Sequence, residues 1–179
     1  YTQATGIPEL REAIAFHHQR MHGIEVSADD VIVTTGSSGG FLLAFLAAFE
    51  AGDRVGMARP GYPCYRNVLT ALGCEVVEID AGAETRFQPT VEQVAAIRDL
   101  KGLVIASPAN PTGTMLLPDE LSALAAWCEA HHVQLISDEI YHGIEYAPLD
   151  GEKPLARSAW ETSREAVVFS SFSKYFSMA

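Results

Sequence analysis

The sequence predicts an α/β fold: three layers, αβα, around a mainly parallel sheet. Three observations predict it. Short β-branched apolar runs such as Val31-Ile32-Val33, Leu103-Val104-Ile105 and Val167-Val168-Phe169 read as buried strands. Helical patterns separate these runs, and that alternation builds a layered, mainly parallel sheet. Glycine, proline or a polar residue follows each run, as at the open ends of strands where ligands bind.

Composition narrows the function classes. The chain has 179 residues, 48% of them hydrophobic and 20% charged, enough for one domain with a sizeable core. Its formal net charge of -11 argues against a nucleic-acid or anionic-membrane surface, since both need basic patches. Cys64, Cys74 and Cys128 show no paired spacing, so neither a disulfide framework nor a zinc site is signalled. They are expected as small buried hydrophobes in a reducing cytoplasm. No apolar run reaches membrane-spanning length. Both ends read as cut, so a longer protein is expected.

In chain order, residues 1–7 are irregular. Pro8 suits the first turn of a helix that Gly23 ends, with Leu10, Ala13 and Ile14 inward and Arg11 in water. His17, His18 and His22 fall on its exposed side. Their spacing admits a metal pair, but no carboxylate or third ligand is near in sequence. Residues 31–35 are expected as a strand, Gly36-Ser37-Ser38-Gly39-Gly40 as a turn, and Phe41–Phe49 as an apolar helix. Such a turn can present N–H groups to an anion, or can simply allow close packing. It has neither the P-loop nor the dinucleotide pattern.

Arg54–Ala58 is the next strand. Arg59-Pro60-Gly61-Tyr62-Pro63-Cys64-Tyr65 follows, a loop whose prolines hold its aromatics at low entropic cost. Tyr62 there can stack on a flat ligand, or Tyr62 and Tyr65 can cover the core. A helix to Leu72 and a strand Glu75–Ile79 come next. Thr90 and Gln93 have capping-box spacing for a helix to Leu100. The strand ending at Ala106 runs into Ser107-Pro108-Ala109-Asn110-Pro111, and the prolines hold Asn110 in an extended backbone. A helix Pro118–His131 leads to the strand Val133–Ser137. Asp138 ends that strand and needs a partner, because an unpaired buried carboxylate is costly. Tyr141 follows it, and His142 is expected as a bystander. Residues 147–164 are polar and turn-rich.

The last run, Val167 to Phe169, breaks into Ser170-Ser171-Phe172-Ser173-Lys174. A lysine with a free-solution pKa of about 10.4 is a poor nucleophile when protonated. In an apolar pocket it loses its proton and can form a Schiff base with an aldehyde. Ser171 and Ser173 beside it are suited to phosphate oxygens. Taken alone, such a lysine is more readily a solvated loop residue.

Six stretches in order resemble the class I/II aminotransferases among the fold-type I pyridoxal-phosphate enzymes. They are YTQATGIPELREAIA, VIVTTGSSGG, GDRVGMARPGYPCY, SPANPTG, SDEIYHGIEY and SSFSKYFSM. The resemblance implies that residues 1–179 form most of a large domain, with an N-terminal arm and a C-terminal small domain outside it. It implies pyridoxal 5'-phosphate as cofactor and an amino acid and a 2-oxo acid as substrates. Lys174 would carry the cofactor as a Schiff base and move the proton. Asp138 would keep the pyridine nitrogen protonated. Asn110 and Tyr141 would bond the ring oxygen, and Tyr62 would stack on the ring. Gly36, Ser37, Ser38 and Ser171 would bind the phosphate. Tyr1 would reach the neighbouring site of a homodimer. Arginines for the phosphate and the substrate carboxylate would lie past residue 179. Other chemistry on the same scaffold, β-elimination at sulfur amino acids or decarboxylation, stays open, as does a non-catalytic sensor domain of a transcription regulator. A dinucleotide binder is disfavoured by the missing fingerprint.

Overall fold

Five parallel strands form the middle layer in a computed structural model that describes residues 2–146 and 156–178. They are β1 (Arg54–Arg59), β2 (Glu75–Asp80), β3 (Leu100–Ala106), β4 (Gln134–Asp138) and β5 (Val167–Phe169), in the order β2-β1-β3-β4-β5. All four neighbouring pairs are parallel. The helices are α1 (Pro8–His22), α2 (Gly36–Ala48), α3 (Pro63–Ala71), α4 (Val91–Ala95) and α5 (Pro118–Ala130). Strand order reverses between β1 and β3, so a crevice opens beyond their carboxyl ends, where ligands of such sheets sit.

Period-two alternation sorts side chains to two cores. Leu103 and Ile105 of β3 and Leu135 of β4 pack with Val94 of α4 and Leu121, Leu124 and Cys128 of α5. Val104 and Ile136, one residue out of step, pack on the other face with Phe41 and Phe45 of α2 and Tyr65 and Leu69 of α3. Each fully buried Leu or Phe contributes about 1.5–3 kcal/mol. The expected α/β architecture is therefore present, with helices on both faces.

Several local expectations change. Residues 31–35 form no strand. Val31 is extended, but the segment's one bond to a distant backbone, among the described residues, runs from Val33 N–H to the Thr5 carbonyl at 2.9 Å. An extended run without a neighbour's ladder is not a strand. The glycine-rich stretch is not a turn before a helix but the first turn of α2 itself. Gly36 takes φ +74°, and a Cβ on Gly40 would stand 2.8 Å from the Phe169 ring, so close packing explains that glycine. The capping box forms, Thr90 Oγ1 accepting from Gln93 N–H at 3.3 Å. Yet α4 stops at Ala95, because β3 already begins at Leu100. In α1, Ala15 is the buried residue and Ala13 is exposed. Arg11 turns inward, its Nε donating to the carbonyls of Ala28 and Val31 at 2.9 and 3.0 Å. Cys74 and Cys128 are buried as expected; Cys64 is half-exposed at the start of α3.

Gly102 of β3 faces Phe49, and a Cβ there would stand 2.2 Å from the ring. Gly102→Ala should cost about 1–3 kcal/mol through overpacking. The check is a lower urea midpoint with an unchanged slope.

Candidate functional site

Asp138 is the last residue of β4 and is 3% exposed. Alternation puts it on the same face as Ile136, toward α2 and α3. There the phenol of Tyr65 donates to its Oδ2, and the Ile140 N–H donates to Oδ1 at 3.2 Å. Burial pushes the Asp138 carboxyl above the usual carboxylate range. Tyr65, the Ile140 N–H, His142 and Lys174 pull the other way. Lys174 lies five residues past β5, and its Nζ stands 5.5 Å from the centre of the Tyr141 ring. The amine and the aromatic face of Tyr141 thus lie together beyond β4 and β5, and Lys174 acts electrostatically on the Asp138 carboxylate that ends β4. Tyr65 was expected at most to cover the core. Its link to Asp138 spans 73 residues, and no local pattern signals it.

The other expected residues gather around this point in separate groups. Tyr62 caps the start of α3, and with Tyr65 and Asn110 it lines one cavity beyond β1 and β3. The Asn110 loop is held by Ala109 N–H to the Thr114 carbonyl at 2.9 Å and Gly113 N–H to the Ala109 carbonyl at 2.7 Å. Gln88, buried and unsuspected in the sequence, donates to the carbonyls of Ala106 and Thr114 and so ties that loop to β3. Gly36, Ser37 and Ser38 open α2, whose N-cap residue Thr35 gives no side-chain cap. Gly36 N–H donates to the Thr34 carbonyl at 2.9 Å, while among the described residues the N–H groups of Ser37 and Ser38 have no acceptor and suit an anion. Ser38 Oγ lies 3.8 Å from Cys64 Sγ, which brings the starts of α2 and α3 together. Ser171 Oγ lies 2.7 Å from Ser173 Oγ in the lysine loop. No hydrogen bond joins Asn110 or the α2 serines to Lys174 among the described residues. Tyr1 lies outside the described residues.

A second cavity lies between α1, the residues after β4 and the lysine loop, lined in part by His17, His22, Glu139, His142, Ser171 and Tyr175. Here one expectation is corrected. His17, His18 and His22 are half-buried rather than exposed, because the chain after β4 and the lysine loop cover that side of α1. His142 makes structural contacts: its Nε2–H donates to the Ser107 carbonyl at 2.9 Å, and its Nδ1 is 3.4 Å from His22 Nε2 and 3.5 Å from Glu139 Oε2. Glu139, next to Asp138, points to the opposite face. Its Oε1 accepts from Ala159 N–H and Ser137 Oγ–H, both at 2.8 Å, while its buried Oε2 accepts no hydrogen bond among the described residues. Among the described residues no group of three or more His, Cys, Asp or Glu is arranged to hold a metal.

Comparison with known proteins matches residues 1–179 to the family model described as aminotransferase class I and II. The chain is 63% identical over 179 residues to a valine–pyruvate aminotransferase of Mycobacterium tuberculosis, covering 99% of this chain and 45% of that protein. It is 37% identical over 148 residues to an aspartate/prephenate aminotransferase of Thermus thermophilus, covering 82% and 38%. The crystal structure of an aminotransferase from Mycobacterium tuberculosis superposes with a TM-score of 0.94 at 63% identity, covering 99% of this chain and 48% of that one. A Thermus thermophilus aspartate aminotransferase mutant gives 0.91 at 33% identity, covering 99% and 48%. The chain spans less than half the length of these relatives.

The histidine cluster makes stability depend on pH. Burial, with His17 and His142 nearby, lowers His18 to about 4. Burial, with His142, His18, His17 and Arg157, lowers His22 to about 3. An unfolded histidine titrates near 6.5. Below that pH the unfolded chain binds protons that the folded chain refuses, so stability falls as pH drops from about 6.5 toward 4 and is untouched by these groups above it. Urea midpoints at pH 7.5 and 5 should differ less in the double variant His18→Gln, His22→Gln than in the parent.

Proposed function

Because the chain belongs to the aminotransferase class I and II family, we propose that it is the cofactor-binding large domain of a pyridoxal-phosphate-dependent aminotransferase. The reaction moves an amino group from an amino acid to a 2-oxo acid. The observation that carries this reading is the Lys174 amine beside the Tyr141 ring, just beyond the strand that ends in the buried carboxylate of Asp138. The donor set fits the cofactor. Asp138 is a buried carboxylate whose cost of burial a protonated ring nitrogen would offset. The uncapped start of α2 suits a phosphate.

When bound, pyridoxal phosphate supplies an aldehyde that takes up the amino group and a ring that withdraws electrons from it. The residues of this chain do the rest. Asp138 would keep a proton on the ring nitrogen. Asn110 and Tyr141 would offer hydrogen bonds to the ring oxygen, and Tyr62 would stack on the ring. Gly36, Ser37, Ser38 and Ser171 would hold the phosphate. Lys174 Nζ would move the proton between the α-carbon of the amino acid and the C4′ carbon of the cofactor. The aromatic face of Tyr141 beside Nζ steadies the amine when that proton arrives.

The names of the relatives support transamination over elimination, decarboxylation or a sensing role. The identity to a valine–pyruvate aminotransferase supports an aliphatic amino acid as donor and a short 2-oxo acid as acceptor. Exposed Ile32, Leu42, Leu43 and Leu46 form apolar surface of a kind that further protein covers, which supports a homodimer with Tyr1 reaching the neighbouring site. No helix among the described residues is long and apolar enough to cross a membrane. Cys64, Cys74 and Cys128 are free thiols, which supports a reducing cytoplasm.

Full-length protein loaded with the cofactor should absorb in the visible. Borohydride should bleach that band and leave the cofactor carbon attached to Lys174, read by peptide mass spectrometry. Attachment at another lysine would overturn the assignment. Lys174→Ala should lower kcat by about 100- to 10,000-fold, the scale of a lost proton-transfer group.

A further inference from the structure

We infer that Tyr65 is a positioning residue: its phenol holds the Asp138 carboxylate ionised and aimed, and so sets how firmly that carboxylate keeps a proton on the cofactor's ring nitrogen. The inference rests on the reading that Asp138 faces that nitrogen.

The geometry is specific. Among the described residues, Asp138 accepts two hydrogen bonds, one from the Ile140 N–H and one from Tyr65. The first belongs to the local turn after β4. The second comes from another element, and both partners are 3% exposed, so water does not substitute for it. Tyr65 has little freedom to leave. Its ring stands edge-on to Phe41 at 5.0 Å and to Tyr62 at 5.5 Å, and Phe41 itself stacks on Phe169 at 4.1 Å. Phe169 is the β5 residue directly opposite Asp138. The packing that locks the phenol is thus anchored at the same rung of the sheet as the carboxylate. Tyr62 and Tyr65 are one helical turn apart at the start of α3, so one loop supplies both the aromatic proposed against the ring and the donor to the acid.

The chemistry follows from this arrangement. Burial favours the neutral acid. A donated hydrogen bond favours the carboxylate. The other groups acting on Asp138 are the Ile140 N–H, His142 and Lys174; Tyr65 itself feels Asp138, Cys64 and Tyr62. Burial and the neighbouring carboxylate push the Tyr65 phenol well above its ordinary value, so it stays a donor across the working range. Remove that donor and the acid has one hydrogen bond against its full desolvation.

The test uses the full-length protein with and without pyridoxal phosphate. In the apo form, the carboxyl carbon of Asp138 is titrated by 13C NMR. Tyr65→Phe should raise its midpoint by roughly one pH unit. An unchanged midpoint overturns the inference. In the loaded form, the 15N signal of the ring nitrogen should move in Tyr65→Phe, with kcat down about tenfold and KM little changed, as for a one-unit change in an acid's strength. Phe41→Leu, which loosens the same packing and keeps the phenol, should leave both signals in place; a shift as large as that of Tyr65→Phe would make the role of Tyr65 merely structural. If Asp138→Asn moves the ring signal and Tyr65→Phe does not, the positioning role fails alone. If neither moves it, the reading that Asp138 faces the ring fails, and the inference with it. Should Tyr65→Phe not fold, fluorotyrosine at position 65 keeps the shape and strengthens the donor; the Asp138 midpoint should then fall.

Discussion

A carboxylate taken out of water at the end of a strand is the constraint around which this site is built. Leaving Asp138 buried and ionised costs several kcal/mol unless donors and positive charge offset it. Three parts of the fold converge to do so. The turn after β4 offers a backbone N–H, α3 offers a phenol, and the loop after β5 brings the Lys174 side chain within electrostatic range. None of these elements is adjacent in sequence to the other two. The parallel sheet lets them meet, because every strand releases its chain at the same edge.

Two consecutive acids illustrate how the pleat assigns roles. Asp138 and Glu139 are equally buried, yet they project to opposite faces. Asp138 looks toward the aromatic core of α2 and α3, where the proposed cofactor would sit. Glu139 looks toward the turn at Ala159, where Ser137 and a backbone N–H satisfy one of its oxygens. His142 then links that region to the carbonyl of Ser107, at the root of the Asn110 loop. The loops after β3 and β4 are therefore held together by side chains that take no part in the proposed chemistry. The cofactor contacts proposed for Asn110 and Asp138 would need such support, since small displacements of reacting groups are costly in rate.

The glycine-rich start of α2 was open to two readings, anion cradle or close packing, and it serves the second directly. Gly40 lets the helix approach the Phe169 ring. The same approach brings the uncapped N-terminus of α2 next to the start of α3, which is where an anion held by the first reading would be needed. One set of small residues thus serves the packing and is also where phosphate binding is proposed.

The sequence by itself determined the alternation of strands and helices, and with it the parallel sheet. It also marked the strand-end residues Tyr62, Asn110, Asp138, Tyr141 and Lys174, because each interrupts an apolar run with a group that such a run does not need. Local pattern carries that much, since periodicity and punctuation are properties of neighbouring residues. Tertiary structure alone decided the rest. It gave Asp138 the phenol of Tyr65 from 73 residues away, drew the α1 histidines against His142, and denied residues 31–35 the partner that would have made them a strand. Those outcomes depend on which distant surfaces meet, and a hydrogen bond between remote segments leaves no trace in the spacing of either one.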